Sequence, residues 1–169
     1  EVLQLNRRDR QQPETVQFAD FMRALTDEIV QAENMPPGSV MLQIPHGLLI
    51  IIDRGPLNQI VWPLVRNAWQ HCQKKEGSIG IGARPGYMGD VVIFELGDDG
   101  PGIPAELRSQ IFEPFFTTRP GGTGLGLYIA RELADANGAT LELLPRSPGA
   151  QFRSTMRRAG VIVKPASIA

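Results

Sequence analysis

Two glycine-rich stretches in the second half of the 169-residue chain have the composition of ligand-binding loops. One reads Asp98-Asp99-Gly100-Pro101-Gly102-Ile103, and the other reads Gly121-Gly122-Thr123-Gly124-Leu125-Gly126-Leu127. Asp98 follows a strand-like run, so its carboxylate can accept a hydrogen bond from an exocyclic amine while the glycines let the chain bend closely around a planar base. The other stretch leads into a predicted helix, whose free N–H groups and positive end attract anions. One stretch would therefore hold a purine and the other its phosphates.

A second pair of polar residues lies upstream, on another predicted helix. Asn67 and His71 are four positions apart and therefore share one face of that helix. The amide oxygen of Asn67 is a suitable hard ligand for a Mg²⁺ that also bridges phosphates, and His71 can donate to a phosphate oxygen. Taken singly, Asp98 would be a turn residue and the other two would be ordinary helix-surface residues. Their functional interpretation depends on the order of the motifs.

Several other nucleotide and metal sites are excluded by spacing. None of the three lysines follows a glycine, so there is no Walker A loop. Gly122, Gly124 and Gly126 are spaced two and two and do not follow a strand, which excludes the dinucleotide-binding fingerprint. A protein-kinase catalytic loop is also missing from the sequence. With one cysteine and two histidines, the chain offers neither an internal disulfide nor a zinc cluster.

Composition indicates one ordinary globular domain. Hydrophobic residues make up 42% of the chain and charged residues 21%, and the formal net charge is −1. This balance predicts no nucleic-acid binding, and the longest apolar run, Leu48 to Ile52, is too short for a membrane helix. The single cysteine fits a reducing, cytoplasmic setting.

Hydrophobic spacing predicts three helices that would position these residues. They run from Glu14 to about Glu33, from Leu57 to about Gln73, and from Gly124 to Asn137. The last helix is expected to bury Leu125, Ile129, Leu133 and Ala136. Pro63, in the interior of the second helix, is an anomaly that should kink it.

Six strands are predicted in three hairpins. The pairs are Val40 to Ile44 with Leu48 to Asp53, Ser78 to Arg84 with Asp90 to Gly97, and Thr140 to Leu144 with Gln151 to Arg157. The Leu-Leu-Ile-Ile-Ile run that starts at Leu48 is expected to be buried on both faces. Strands adjacent in sequence, combined with three helices, favour an α+β fold: a two-layer α/β sandwich with a mixed, mostly antiparallel sheet.

The order of these motifs resembles the ATP-binding domain of bacterial two-component sensor histidine kinases, the Bergerat fold shared with gyrase, Hsp90 and MutL. The matching segments are Gln59–Cys72 for the N box, Asp98–Pro104 for the G1 box, Ile111–Thr118 for the F box and Gly122–Leu127 for the G2 box. The segment from Phe115 to Leu127 is most similar to the nitrogen-regulatory and type IV pilus branch. The resemblance implies a catalytic domain over residues 14–158, a linker remnant over 1–13 and a C-terminal tail over 159–169, with about three helices on one face of the sheet.

The resemblance also implies ATP and Mg²⁺ as cofactors. Asp98 takes the role of the residue that recognises the adenine amine, Asn67 that of the Mg²⁺ ligand and His71 that of a nucleotide contact, and Asn67 and His71 are the two catalytic candidates. The full set of expected nucleotide-binding residues is Asn67, His71, Asp98, Gly100, Gly102, Ile103, Arg119, Gly122, Thr123, Gly124, Leu125, Gly126 and Leu127. Phe112, Phe115 and Phe116 would anchor the lid over the nucleotide or meet the helix that carries the phosphoacceptor.

The implied activity is transfer of the ATP γ-phosphoryl to a histidine on a separate dimerisation domain, for relay to a response regulator. Neither His46 nor His71 matches the acceptor context, so we expect a catalytic fragment that lacks its dimerisation helices. Those helices of the same protein and, indirectly, the response regulator are the expected partners. The isolated domain is expected to be a cytoplasmic monomer without membrane contact, and inner-membrane anchoring of the parent protein stays open.

Two departures from the family pattern leave alternatives open. Pro63 stands where the N box usually has its first asparagine, and where the hydrolytic relatives and the related serine kinases carry a glutamate base. Proline cannot accept a proton, which argues against a Bergerat-fold ATPase or serine kinase. Gln70 stands where the family commonly has a lysine. Because both changes weaken a Mg²⁺-ATP site, a degenerate scaffold, or pseudokinase, is the other alternative.

Overall fold

The fold is seen in a computed structural model that describes residues 13–146 and 148–159. In chain order its elements are β1 (Glu14–Gln17), α1 (Phe18–Ala32), β2 (Val40–Gln43), β3 (Leu49–Ile52), α2 (Arg54–His71), β4 (Ile79–Pro85), β5 (Val91–Asp98), a 3₁₀ turn (Ala105–Leu107), α3 (Gly126–Ala136), β6 (Thr140–Leu143) and β7 (Gln151–Arg157). Nearly all of the predicted linker, and the tail beyond residue 159, lie outside the described residues.

The main sheet has five strands in the order β2-β4-β5-β7-β6. Strands β2 and β4 are parallel, and the other three pairs are antiparallel. On β5 the side chains of Val92, Phe94 and Leu96 are fully buried, whereas those of Ile93 and Glu95 between them are half-buried, so the helices cover one face of the sheet. The predicted two-layer sandwich with a mixed, mostly antiparallel sheet is confirmed.

The hairpins β4–β5 and β6–β7 are confirmed, but the first predicted hairpin is wrong. Strand β2 pairs in parallel with β4, while β3 pairs with β1 in a separate two-stranded sheet. Local sequence suggested that neighbouring strands pair across Pro45-His46-Gly47, but β3 instead finds a partner more than thirty residues upstream, where Val16 faces Ile50.

The predicted start of the first helix is also wrong. Residues Glu14–Gln17 form β1, and α1 begins at Phe18, where the Gln17 side chain accepts a hydrogen bond from the Ala19 backbone N–H at 3.1 Å. Strand pairing of these four residues with β3 overrides their fit to the helical period.

Two predictions about burial need correction. Leu49 and Ile51 are only half-buried, so the β3 run is buried on one face rather than on both. In α3 the fully buried residues are Ala130 and Ala134, whereas Ile129 is 42% exposed and Ala136 is exposed. Small side chains at the buried positions are consistent with the close packing of α3 against α2, while Leu125 and Leu133 are only half-buried and Leu133 packs at the edge of the core.

Helix α2 begins at Arg54, three residues before the predicted start. Asp53 is its N-cap, and the carboxylate accepts a hydrogen bond from the Gly55 N–H at 3.1 Å. Helical backbone continues through Pro63 to His71, so the proline does not end the helix.

Candidate functional site

A cavity of about 420 Å³ lies between α2, the end of β5 and the loop that leads to α3. Helix α2 contributes one stripe of side chains at spacings of three and four, namely Pro63, Arg66, Asn67, Gln70 and His71. The opposite walls come from the segments after β5 and before α3. The volume is in the range of small-molecule sites.

Asp98, the last residue of β5, lies at one end of this cavity. Its Oδ1 accepts hydrogen bonds from the backbone N–H groups of Gly100, at 2.8 Å, and Ala150, at 3.4 Å. Its Oδ2 is buried and has no hydrogen-bond partner among the described residues. A buried acceptor without a partner is costly, so this oxygen is suited to an N–H donor of a ligand.

Burial raises the pKa of the Asp98 carboxyl above its ordinary value. The hydrogen bonds from Gly100 and Ala150 and the attraction of His71 lower the pKa, and they offset the burial only in part. A ligand N–H on Oδ2 would stabilise the carboxylate form and relieve part of this cost.

The neighbouring Asp99 has a different role. Its Oδ1 accepts from the Gln73 backbone N–H at 2.8 Å, and its Oδ2 accepts from the Ser78 hydroxyl at 3.0 Å. Chiefly because of the hydrogen bond from Gln73, the pKa of Asp99 is lowered. Asp99 therefore ties the segment after α2 to the end of β5, and Asp98 is the acceptor left for a ligand.

Backbone packing explains the glycines near Asp98. A Cβ on Gly100 would lie 2.3 Å from the carbonyl oxygen of His71, and one on Gly149 would lie 1.9 Å from that of Asp98. Gly102 and Ile103 line the cavity, but Gly100 does not, so Gly100 serves close packing against the end of α2. Ala150 lines the cavity and Gly149 packs against Asp98, although the sequence indicated only a connection between two strands there.

The second glycine-rich stretch forms the wall opposite α2. The cavity is lined by Arg119, Gly122, Thr123, Gly124, Gly126 and Leu127. Leu125, the N-cap residue of α3, does not line it. Gly124 has a φ of +68° and accepts a hydrogen bond from the Phe115 N–H at 2.9 Å. A Cβ there would lie 2.4 Å from the Phe115 carbonyl carbon, so this glycine lets the loop pass over the F-box segment.

The three F-box phenylalanines occupy different environments. Phe112 stacks edge-on against Phe152 at 6.1 Å, with the Arg131 guanidinium 4.7 Å from its ring centre. Phe116 lines the cavity, and Phe115 is 74% exposed. Phe116 therefore forms part of the cavity wall and Phe112 packs against Phe152, whereas Phe115 is left exposed.

Asn67 and His71 both face the cavity, as their spacing predicted; Asn67 is half-buried and His71 is exposed. The described residues contain no cluster of three His, Cys, Asp or Glu side chains that could hold a metal by itself. The Asn67 amide oxygen fits Mg²⁺ as a single hard ligand, provided that phosphates and water supply the others.

Sequence reasoning missed Arg66, which also lines the cavity. Its Nε and Nη2 donate to Oε1 of Glu33 at 2.8 and 2.6 Å, and Trp62 Nε1 donates to the same oxygen at 3.2 Å. Its spacing of four from Gln70 places it on the face of α2 that carries Asn67 and could have marked it. Its partner Glu33, 33 positions away, could not be predicted from spacing.

No helix in the described part of the chain is long and apolar enough to cross a membrane.

The fold and the cavity define a member of a large class of ATP-binding domains. A profile of the family described as "Histidine kinase-, DNA gyrase B-, and HSP90-like ATPase" matches residues 52–160, more than half of the chain. The chain belongs to this family.

Within the family, the chain is similar to sensor histidine kinases. It is 33% identical over 151 residues to the sensor protein kinase PilS of Pseudomonas aeruginosa, and 29% identical over 137 residues to the sensory histidine kinase/phosphatase NtrB of Salmonella typhimurium. These matches cover 88% and 70% of the chain but only 28% of PilS and 39% of NtrB, so the chain spans well under half of these relatives.

A solved structure supports the same relationship. The catalytic domain of the histidine kinase ThkA superposes with a TM-score of 0.72 at 28% identity, over 87% of this chain and 98% of that domain. The resemblance to sensor histidine kinase catalytic domains and the Bergerat fold are therefore confirmed.

Proposed function

We propose that the chain is the ATP-binding catalytic domain of a sensor histidine kinase, which donates the γ-phosphoryl of Mg²⁺-ATP to a histidine on a dimerisation domain of the same protein. The response regulator receives the phosphoryl group from that histidine. The observation that carries the proposal is the buried Oδ2 of Asp98, which has no hydrogen-bond partner among the described residues and lies at one end of a nucleotide-sized cavity. The adenine amine supplies the missing donor.

The other cavity residues hold the rest of the nucleotide. Asn67 gives its amide oxygen to Mg²⁺, and His71 donates to a phosphate oxygen. The backbone from Gly122 to Leu127 surrounds the phosphates together with Arg119. Bound Mg²⁺ would neutralise phosphate charge and orient the γ-phosphoryl group.

Electrostatics favours a kinase with a histidine acceptor over a hydrolase or a serine kinase. Among the described residues that line the cavity, Asp98 is the only carboxylate, and it accepts backbone hydrogen bonds at the base end. The described lining therefore offers no second carboxylate to take a proton from water or a hydroxyl. A neutral imidazole is already a nucleophile, so positioning and charge neutralisation suffice.

Phe115 supports a docking role for the F box. Phe115 is 74% exposed, and its N–H donates to the carbonyl of Gly124 in the glycine-rich loop, although aromatic side chains of this size usually pack in the interior. We infer that it meets the dimerisation helices when they bring the acceptor histidine to the cavity.

The test is calorimetric titration of the domain with a non-hydrolysable ATP analogue, with and without Mg²⁺. Asp98→Asn exchanges the carboxylate for an amide at the base end. A hydrogen bond to a charged group contributes about 1.5–3 kcal/mol, so the affinity should fall roughly 10- to 150-fold. Asp90→Asn is the matched control, because Asp90 is exposed just before β5 and does not line the cavity.

Each alternative function predicts a different result in these experiments. Unchanged affinity in Asp98→Asn would refute the adenine assignment. A folded wild-type domain that binds no nucleotide would support the degenerate scaffold. Steady ATP turnover by the isolated domain would favour the ATPase, whereas labelling of the parent protein's dimerisation domain from γ-labelled ATP would establish the histidine kinase.

A further inference from the structure

Three hydrogen bonds between α1 and α2 converge on one carboxylate oxygen. Oε1 of Glu33, the C-cap residue of α1, accepts from Nε and Nη2 of Arg66 and from Nε1 of Trp62. Partial burial of Glu33 would raise its pKa, but the hydrogen bonds from Arg66 and Trp62, with the charges of Arg66 and Arg119, lower it. Glu33 therefore stays ionised at neutral pH and holds the guanidinium in one orientation.

This orientation leaves part of Arg66 free at the cavity. Its Nη1 makes no hydrogen bond with any described residue, and the side chain lies in the cavity-lining stripe of α2 beside Asn67. A guanidinium has five N–H donors, of which Glu33 engages two. The remaining donors are available to an anion.

The position of Arg66 along α2 matches the phosphate end of the cavity. Asp98 marks the base end, and the backbone at the end of α2 packs beside it, since a Cβ on Gly100 would lie 2.3 Å from the His71 carbonyl oxygen. Arg66 lies five residues before the end of the helix, about 7.5 Å along its axis at 1.5 Å per residue. The glycine-rich loop reaches the same end of α2, because a Cβ on Gly126 would lie 3.4 Å from Cβ of Pro63. A nucleotide with its base at Asp98 extends its phosphates in this direction.

Few positively charged side chains among the described residues line the cavity to balance the negative charge of a triphosphate. In the described lining of the cavity, the permanently charged cations are Arg66 and Arg119, and Gln70 supplies no charge at the position where the resembled family commonly has lysine. A triphosphate needs nearby positive charge when it leaves water.

We propose that Arg66 is a phosphate-binding residue of this domain, positioned by Glu33 and Trp62, and that it replaces the charge missing at Gln70. The proposal rests on the proposed function, since it assumes that the cavity binds an adenine nucleotide. Glu33 is a positioning residue, because it acts on the phosphates only through Arg66.

The competing view is that the Arg66–Glu33 pair is only a structural link between α1 and α2. Its side chains are 52% and 23% exposed, and ion pairs with this much solvent contact contribute little to stability. The two views differ in one measurable respect. A phosphate-binding arginine makes affinity depend on the number of phosphates, whereas a structural link affects all ligands alike.

The test is displacement of a fluorescent ATP analogue by ATP, ADP, AMP and adenosine, measured on the wild-type chain and on Arg66→Met. Methionine keeps an apolar stem and removes the charge. We expect the affinity for ATP and ADP to fall about tenfold or more, that for AMP to fall less, and that for adenosine to change less than twofold. Arg23→Met is the matched control, because Arg23 is exposed on α1 and does not line the cavity.

Two further variants separate positioning from charge. Arg66→Lys keeps the charge without the planar fork and should recover part of the ATP affinity. Glu33→Gln should weaken ATP binding less than Arg66→Met, with adenosine again unaffected. Equal losses for adenosine and ATP in Arg66→Met, or no loss for either, would overturn the proposal while leaving the nucleotide site intact. Failure of the folded wild type to bind any of the four ligands would overturn the proposed function as well.

Discussion

Replacement of Pro63 by asparagine should make the domain both more stable and better at binding Mg²⁺-ATP. Pro63 lies in the interior of α2 and has no N–H, so the carbonyl of Gln59 lacks its helical hydrogen bond. Proline in a helix interior is about 3 kcal/mol less favourable than alanine, and asparagine is within roughly 0.7 kcal/mol of it. Proline also restricts the unfolded chain, which offsets about 0.4–1 kcal/mol of that difference.

The net expectation is an increase of about 1–2 kcal/mol in the free energy of unfolding. For a domain of this size that corresponds to a rise in Tm of roughly 2–8 °C. Pro63 lines the cavity one turn before Asn67, so the new amide would lie where it can add an oxygen near the metal. The affinity for the ATP analogue should therefore rise with Mg²⁺ present and change little without it.

Pro63→Ala separates the two effects, because alanine restores the helical hydrogen bond without adding a ligand. Thermal unfolding followed by circular dichroism measures stability, and calorimetric titration with and without Mg²⁺ measures binding. A fall in Tm for both variants would refute the helix argument and show that the packing of the proline ring dominates. An equal gain in affinity for both variants, independent of Mg²⁺, would refute the metal argument.

Two further predictions concern Asp98 and the glycine packed against it. Because burial raises the pKa of Asp98, its contribution to stability is present below the ordinary value of 3.8 and is lost as pH rises through the raised value. As pH rises from 3.8 through the raised pKa, the Tm of Asp98→Asn should therefore increase relative to that of the wild type. Over the same pH range the affinity of the wild type for ATP should rise, because the carboxylate forms. Parallel pH profiles of Tm for both proteins would contradict this. Gly149→Ala should cost well over the roughly 1–2 kcal/mol of a left-handed non-glycine residue, because its Cβ would lie 1.9 Å from the Asp98 carbonyl oxygen. Gly47 has a φ of +83° and open space around it, so Gly47→Ala carries the backbone penalty alone and serves as the control. Equal losses in Tm and unchanged ATP binding in both variants would refute the steric argument.

Local patterns were sufficient to predict the helices and two of the three hairpins. The errors arose where a distant segment decided the outcome. Strand β1 forms because β3 is available to pair with it, and this pairing cannot be read from the period of residues 14–17. In α3 the helical period was right, but Ile129 and Ala136 were taken as buried, whereas the buried residues are Ala130 and Ala134 and Leu133 is buried only in part.

For the candidate site, too, local sequence patterns predicted which residues lie together but not the contacts made by residues distant in sequence. The order of the motifs predicted that Asp98, Asn67 and His71 would share one cavity. It could not reveal that Oδ2 of Asp98 is unpartnered, because its surroundings include Ala150, 52 positions away. The helical spacing of Arg66 could have placed it at the cavity, but it could not reveal that Glu33, 33 positions away, orients its side chain.

The charges around the cavity are arranged for positioning a nucleotide rather than for acid–base chemistry. The only carboxylate in its described lining is held at the base end by backbone N–H groups, and the residues at the other end are neutral or positive. A carboxylate at the position of Pro63 would activate water, but it would also repel the γ-phosphate and consume ATP when no acceptor is docked. Proline offers no such base at this position, and in our proposal Arg66 supplies the charge that lysine would otherwise provide. In the proposed function, a cavity without that base would keep ATP intact until the histidine of the dimerisation domain is docked.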